Sequence, residues 1–230
     1  MHTPPTPHLS TSHPYPWPHD SSLHPSTTAL LILDMQRDTL TSRPRYRDII
    51  PPIVSLLSTF RRAGFPVFHA RRGHARHLST VSARDYHRSK ATTPAEEEGR
   101  GAGNWGRWMV RGQRGHDIVS ELCPLPNEPV VDRAGVGAFG GASELEGGLR
   151  GWGVRNLVVC GVSVEGAVNS TVREASERGF DCLVVEDAVE GASDELRWWG
   201  LEAIRAEGGV FGVTAECCEV IAAVETWTNA

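Results

Sequence analysis

From residue 28 onward, short continuous apolar runs alternate with longer stretches in which apolar positions recur every three or four residues. The first run, ALLIL ahead of Asp34, is apolar at every position, the pattern of a parallel strand covered on both faces. Residues 48–63 read as a helix whose prolines fall in its first turn, where a missing amide hydrogen is tolerated. PVFHA (66–70) reads as a second strand, EPVVD (128–132) as a third, NLVVCGV (156–162) as a fourth and DCLVVEDA (181–188) as a fifth. GVFGVT (209–214) reads as a short edge strand. Between them lie predicted helices over 142–153, 164–179 with Gly179 as its stop, 193–207 and 215–226.

Two stretches break this rhythm. Residues 71–116 carry ARRGHARH, an acidic EEEG and a Gly/Trp-rich piece, GNWGRWMVRGQRGH, without a clear period. A polar stretch of that length is expected to be a functional loop or lid. Residues 1–27 are rich in Pro, His, Ser and Thr and hold five of the ten histidines. They read as a disordered or partner-wrapping arm, because they offer little apolar surface to offset their ordering entropy. The strand–helix alternation predicts one α/β domain over 28–230. Its form is a Rossmann-like three-layer sandwich around a central parallel sheet. In such sheets ligands bind beyond the carboxyl ends of the strands.

Composition narrows the function. A chain of 230 residues with 40% hydrophobic content can bury a full core, and its net charge of −5 argues against a nucleic-acid partner. Five cysteines, without a C-x-x-C pair, give neither a disulfide framework nor a zinc signature. The absence of any apolar run near 18 residues argues against a membrane span. With no apolar signal core either, the expected setting is intracellular and cytoplasmic.

Three places at predicted strand ends carry candidate chemistry: Asp34, Arg133 and the turn GVSVEGAV (161–168). Seen alone, Asp34 has the alternative reading of a helix cap or strand end, and Arg133 that of a surface charge. Together they resemble the isochorismatase-like cysteine hydrolases, above all the ureidoacrylate and biuret amidohydrolases. The D-x-Q-x-D element appears as Asp34-Met-Gln36-Arg-Asp38. The family's lysine, six residues before a phenylalanine, falls on Arg133 before Phe139. Its G-x-x-T-x-x-C-V nucleophile element reads Gly161-Val-Ser163-Val164-Glu-Gly-Ala167-Val168. The stretches NSTVREASERGFDCLVVEDA and GHDIVSELCPLPNEPVVD extend the likeness, which covers roughly residues 28–215.

The resemblance implies a catalytic aspartate at Asp34, an arginine in the lysine's place and an alanine in the nucleophile's. A methyl group cannot attack an amide carbonyl, so covalent hydrolysis by the family route is not expected. True isochorismatases, which also lack the thiol, make a thiol-independent enzyme credible. The resemblance further implies a cis peptide at Val162–Ser163, with the Ser163 and Ala167 amides facing the ligand as anion donors. Some relatives hold zinc after the second strand. The matching stretch is Ala70-Arg71-Arg72-Gly73-His74, with arginine in place of an aspartate, so neither metal nor other cofactor is expected.

The resulting expectation is a small polar or aromatic metabolite handled by Asp34 as acid/base and Arg133 as anion anchor. Gln36, His74, Trp105, Arg111, Phe139, Ser163 and Val164 are candidate substrate contacts, with Trp108 beside them. Two alternatives stay open: a catalytically silent binder of a ligand or protein, and an engineered inactive C–N amidohydrolase. Trp198 and Trp199 read as subunit-contact candidates, in keeping with the dimer or tetramer that the resemblance suggests.

Overall fold

TALLIL forms strand β1 (Thr28–Leu33), buried at every position as its unbroken apolar run requires. The structure is a computed structural model that describes residues 8–21, 23–85, 87, 109–140 and 143–228. Strand β1 lies between β2 (Val67–Arg72) and β4 (Asn156–Val162), all parallel. Strands β3 (Val130–Arg133), β5 (Asp181–Glu190) and β6 (Val213–Ala215) complete a six-stranded parallel sheet in the order β3-β2-β1-β4-β5-β6.

The helices are α1 (Arg37–Ser42), α2 (Ile50–Arg62), α3 (Leu145–Gly151), α4 (Asn169–Glu177), α5 (Asp194–Gly209) and α6 (Cys217–Thr228). Apolar residues of α2 and α6 bury one face of the sheet, through Ile53, Leu56, Phe60, Val220 and Val224. The other face is covered from α3, α4 and α5 by Leu145, Leu149, Val172, Leu201 and Ile204. The expected three-layer sandwich is therefore present, with its strands close to the predicted positions.

Three local readings needed revision. Helix α1, directly after the D-x-Q element, has no counterpart in the sequence reading. The helix expected over 164–179 begins instead with a single wide turn, Val164–Val168, before α4. Side-chain bonds explain part of that turn: Asn169 donates Nδ2 to the carbonyls of Val164 at 2.7 Å and Gly200 at 2.9 Å.

The arm is the third. Residues 1–7 lie outside the described residues, but the part from residue 8 packs onto the domain rather than trailing from it. Trp17 is fully buried in the α2/α6 core together with Leu9 and Leu23. Leu9 and Trp17 exchange backbone hydrogen bonds, and His13 does the same with Thr214, adding an antiparallel rung to the edge of β6. Asp181 accepts from the Tyr15 hydroxyl at 2.9 Å and from the His19 amide at 2.9 Å. A few large anchors outweigh the polar average of the segment, which a compositional argument cannot register.

Glycine is required at one strand end. Gly161 has φ +112°, and a Cβ there would lie 2.1 Å from the Leu33 carbonyl oxygen. Leu33 and Gly161 are register partners, so this close approach sets the end of β4 against the end of β1.

Candidate active site

Asp34 leaves β1 with φ +53°, a conformation that aspartate tolerates better than most side chains. The turn directs its carboxylate back across the strand ends, where it is nearly buried. Oδ1 accepts the Arg72 amide at 3.0 Å. Oδ2 accepts Nη2 of Arg133 at 2.8 Å. Arg133 ends β3, two strands away, and its side chain is wholly buried. It donates Nη1 to the Gly135 carbonyl at 2.8 Å, while its buried Nε has no hydrogen-bond partner. An orphaned buried donor of this kind costs on the order of 1–3 kcal/mol, which an acceptor could recover.

Gln36 locks this corner. Its Oε1 accepts the Arg72 amide at 2.9 Å, and its Nε2 donates to the carbonyls of Arg72 at 2.8 Å and His116 at 3.0 Å. Asp38, the second acid of the element, accepts the Met109 amide at 2.7 Å and so fixes the returning end of the long loop.

The turn after β4 contains the expected cis peptide at Val162–Ser163. The Ser163 carbonyl accepts the amides of Gly166 and Val168, at 3.1 and 3.0 Å. Ala167 is nearly buried within this turn. The Tyr46 side chain, also buried, lies beside Ser163; burial first, then the Glu165 charge, pushes its hydroxyl pKa upward.

Two candidate contacts also pack into the core. Val164 is buried against α5, where a Cβ on Gly200 would come within 2.9 Å of it. Phe139 packs on the Phe180 ring at 5.6 Å between centroids, under the Arg178 guanidinium, so both residues serve core packing. Trp105 and Trp108 lie outside the described residues.

Near the end of β2, Arg71 pairs with Asp132 through Nε at 2.5 Å, and His116 Nε2 stands 3.2 Å from the same carboxylate. Burial opposes ionisation of Asp132, but the close His116 ring and the Arg71 hydrogen bonds outweigh it and hold the carboxyl at about 2. His74 is buried, exchanges backbone bonds with Met109 and Arg111, and has its pKa lowered by burial and then by Arg72. Guanidiniums at 71 and 72 make a poor donor set for a metal cation. Among the described residues no three His, Cys, Asp or Glu side chains gather for one.

Asp34, Gln36 and Arg133 thus come together directly, while Ser163 and Ala167 follow the neighbouring strand. His74 and Arg111 lie on the β2 side. Sequence reasoning missed Asp132, His116 and Tyr46. Asp132 adjoins Arg133 in sequence and was within reach; the other two meet the site only through long-range packing. Cavities of about 460 Å³ along the arm and about 350 Å³ between α4 and α5 involve neither Asp34 nor Arg133; the second reaches the turn after β4 through Glu165. Trp198 and Trp199 are more than half exposed and meet edge to face at 4.6 Å.

A six-stranded parallel sheet covered by helices on both faces, with an acid and an arginine at its strand ends, defines a three-layer α/β fold. The chain belongs to the isochorismatase family, whose Isochorismatase domain matches residues 28–216. It is 31% identical over 169 residues to the isochorismatase family protein YddQ of Bacillus subtilis, covering 70% of this chain and 77% of that one. It is 27% identical over 193 residues to the ureidoacrylate amidohydrolase RutB of Stutzerimonas stutzeri, covering 78% and 76%. Among solved structures, a cysteine hydrolase from Pseudomonas syringae pv. phaseolicola superposes with a TM-score of 0.76 at 21% identity, over 89% of this chain and 95% of that one. An isochorismatase family protein from Desulfovibrio vulgaris gives 0.72 at 25% identity, over 86% and 98%.

Proposed function

We propose that this chain is a divergent isochorismatase-family enzyme acting on a small polar or aromatic metabolite without a thiol nucleophile. In this reading Ala167 holds the nucleophile position and Arg133 that of the lysine. The carrying observation is the buried Asp34–Arg133 contact at 2.8 Å. It supports a carboxylate that exchanges a proton with substrate while a permanent positive charge steadies the anion formed. Amides at Ser163 and Ala167 add neutral donors for the same charge. Lyase, isomerase, cyclisation or non-covalent hydrolytic chemistry fits such a set.

The test is turnover of a panel of small carbonyl compounds by the natural chain and by Asp34→Asn. Loss of at least about a hundredfold in the variant is expected for a general acid or base. Undiminished turnover removes Asp34 from the mechanism. Intact-mass measurement during turnover should find no acyl adduct on the protein.

One observation favours a second reading, a catalytically silent homologue. The Arg133 guanidinium is wholly buried, with Nη1 and Nη2 donating inside the protein, which suits a permanent structural pair. If the whole panel goes unconverted while a compound still raises the melting temperature, the chain is a binder.

A further inference from the structure

Helix α5 exposes side chains that a folded chain ordinarily covers. Trp198 and Trp199 are 53% and 58% exposed and Leu196 is 41% exposed, all within one turn. Leu196, Trp199 and Ala203 follow the three- and four-residue spacing of a single helical stripe, and they form one wall of the groove of about 350 Å³ between α4 and α5. Glu165, Ser170 and Arg173 form the other wall. Trp198 stands outside the groove on the next stripe, its ring edge to face against Trp199. Glu195, three residues earlier, shares that stripe with it. A projecting indole thus adjoins a recess lined by a second indole.

The charges on this face have a direction. Helices α4 and α5 run side by side the same way: Glu165 accepts the Ala192 amide at 3.3 Å, Asn169 donates to the Gly200 carbonyl at 2.9 Å, and the Ser176 hydroxyl donates to the Val210 carbonyl at 3.0 Å. Arg173 therefore lies toward the carboxyl end of the groove, where its guanidinium rests on the Phe211 ring at 4.0 Å. Glu195 lies toward the amino end. Both are exposed. Among the described residues neither has an opposite charge within ion-pair distance.

We infer that this face of α4 and α5 is a homodimer interface, in which a second copy of the chain seats its Trp198 in the groove. A knob and a recess on one patch are what an isologous pairing requires, since every contact from one copy is repeated from the other. Half-exposed tryptophans are the side chains that most often anchor protein interfaces. A two-fold axis across α5 sets the two α5 helices antiparallel. With the partner's Trp198 at the middle of the groove, beside Trp199 and Gly200, the partner's Glu195 arrives at the carboxyl end, against Arg173. Symmetry forms the same pair a second time. Glu202, on the other side of Trp198, is already held by Arg205 and does not compete for Arg173. A different protein would have to present an indole and an acid at this same spacing, which the chain itself carries. The inference does not depend on the reaction assigned to the strand ends.

The experiment is sedimentation velocity of the full chain over a concentration series. The natural chain should sediment near twice the 25.1 kDa of one copy, and Trp198→Glu near once that mass. An unchanged circular dichroism spectrum shows that the variant is folded; should it misfold, Glu195→Arg, at an exposed position, carries the test instead. Glu195→Arg and Arg173→Glu should each weaken association at least about tenfold, because like charges then meet across the interface. The two together restore the pair in reverse and should recover association to within about threefold of the natural chain. A natural chain that stays monomeric at every concentration would give the patch to another occupant and overturn the inference. An assembly undisturbed by Trp198→Glu and Glu195→Arg would place the interface elsewhere, with the same consequence. Charge exchange without recovery would refute the antiparallel pairing of Glu195 with Arg173.

Discussion

Arg133 Nη2 donates to Asp34 Oδ2 at 2.8 Å, joining the end of β3 to the end of β1 across the whole width of β2. Removing one partner strands a buried charge, which typically costs about 3–5 kcal/mol, whereas removing both strands none. Arg133→Met should therefore lower unfolding free energy by about that amount. Adding Asp34→Asn should recover much of the loss, so the double variant falls well short of the summed single costs. Urea denaturation of the four proteins measures this; strict additivity would show that the two side chains do not interact.

Gly161 governs how closely β1 and β4 approach at the same end of the sheet. A Cβ at this position meets the Leu33 carbonyl at 2.1 Å, and the backbone conformation itself excludes most side chains. Gly161→Ala should destabilise the fold by more than about 3 kcal/mol or prevent soluble expression. A variant within about 0.5 kcal/mol of the natural chain would contradict the close packing described.

How far the chain could be read from its residues depends on whether the signal was local. NLVVCGV delimits β4 to the residue, because an apolar run between Arg155 and Ser163 has no other use. The D-x-Q-x-D element likewise marks Asp34 and Gln36, whose partners follow from strand order. The core packing of Phe139 and Val164 was not legible, because a motif fixes position along the chain but not the direction of a side chain. Asp132 and His116 meet across an intervening loop, and Tyr46 meets Ser163 from a different element, so no spacing announces either contact. The arm was misread for a related reason: Trp17 alone decides its fate, and composition averages it away.

Trp17 gives that correction a direct check. Truncating a fully buried tryptophan generally costs about 3–5 kcal/mol through lost burial and the cavity left behind. Trp17→Ala should lower stability by that order and expose the segment 8–27 to limited proteolysis, which the unaltered chain should resist. Identical melting and cleavage patterns would return the segment to the status of a loose tail.

Acid should weaken the protein in two stages. His69 and His74 both have pKa values lowered from 6.5, with burial as the largest cause. The unfolded chain therefore binds their protons more readily, so the stability tied to their neutral forms is present above pH 6.5 and declines below it. Asp132 follows at lower pH. With its carboxyl held at about 2 against an ordinary 3.8, its contribution is complete above that ordinary value and disappears as the pH falls toward 2. Melting temperatures between pH 8 and pH 3 should drop first below about 6.5 and again below about 4. A midpoint that rises between pH 7 and pH 5 would reverse the assigned sign.

The rung between His13 and Thr214 bears on the company this protein keeps at high concentration. An open strand edge is a template on which another chain can polymerise. Here the amide and carbonyl of Thr214 are already spent on His13. An intruding strand would have to peel the segment away and pull an indole out of the hydrophobic interior before its first bond could form. The histidine- and proline-rich leader, so unpromising by composition, thus doubles as a built-in guard against fibre growth from that side of the sheet.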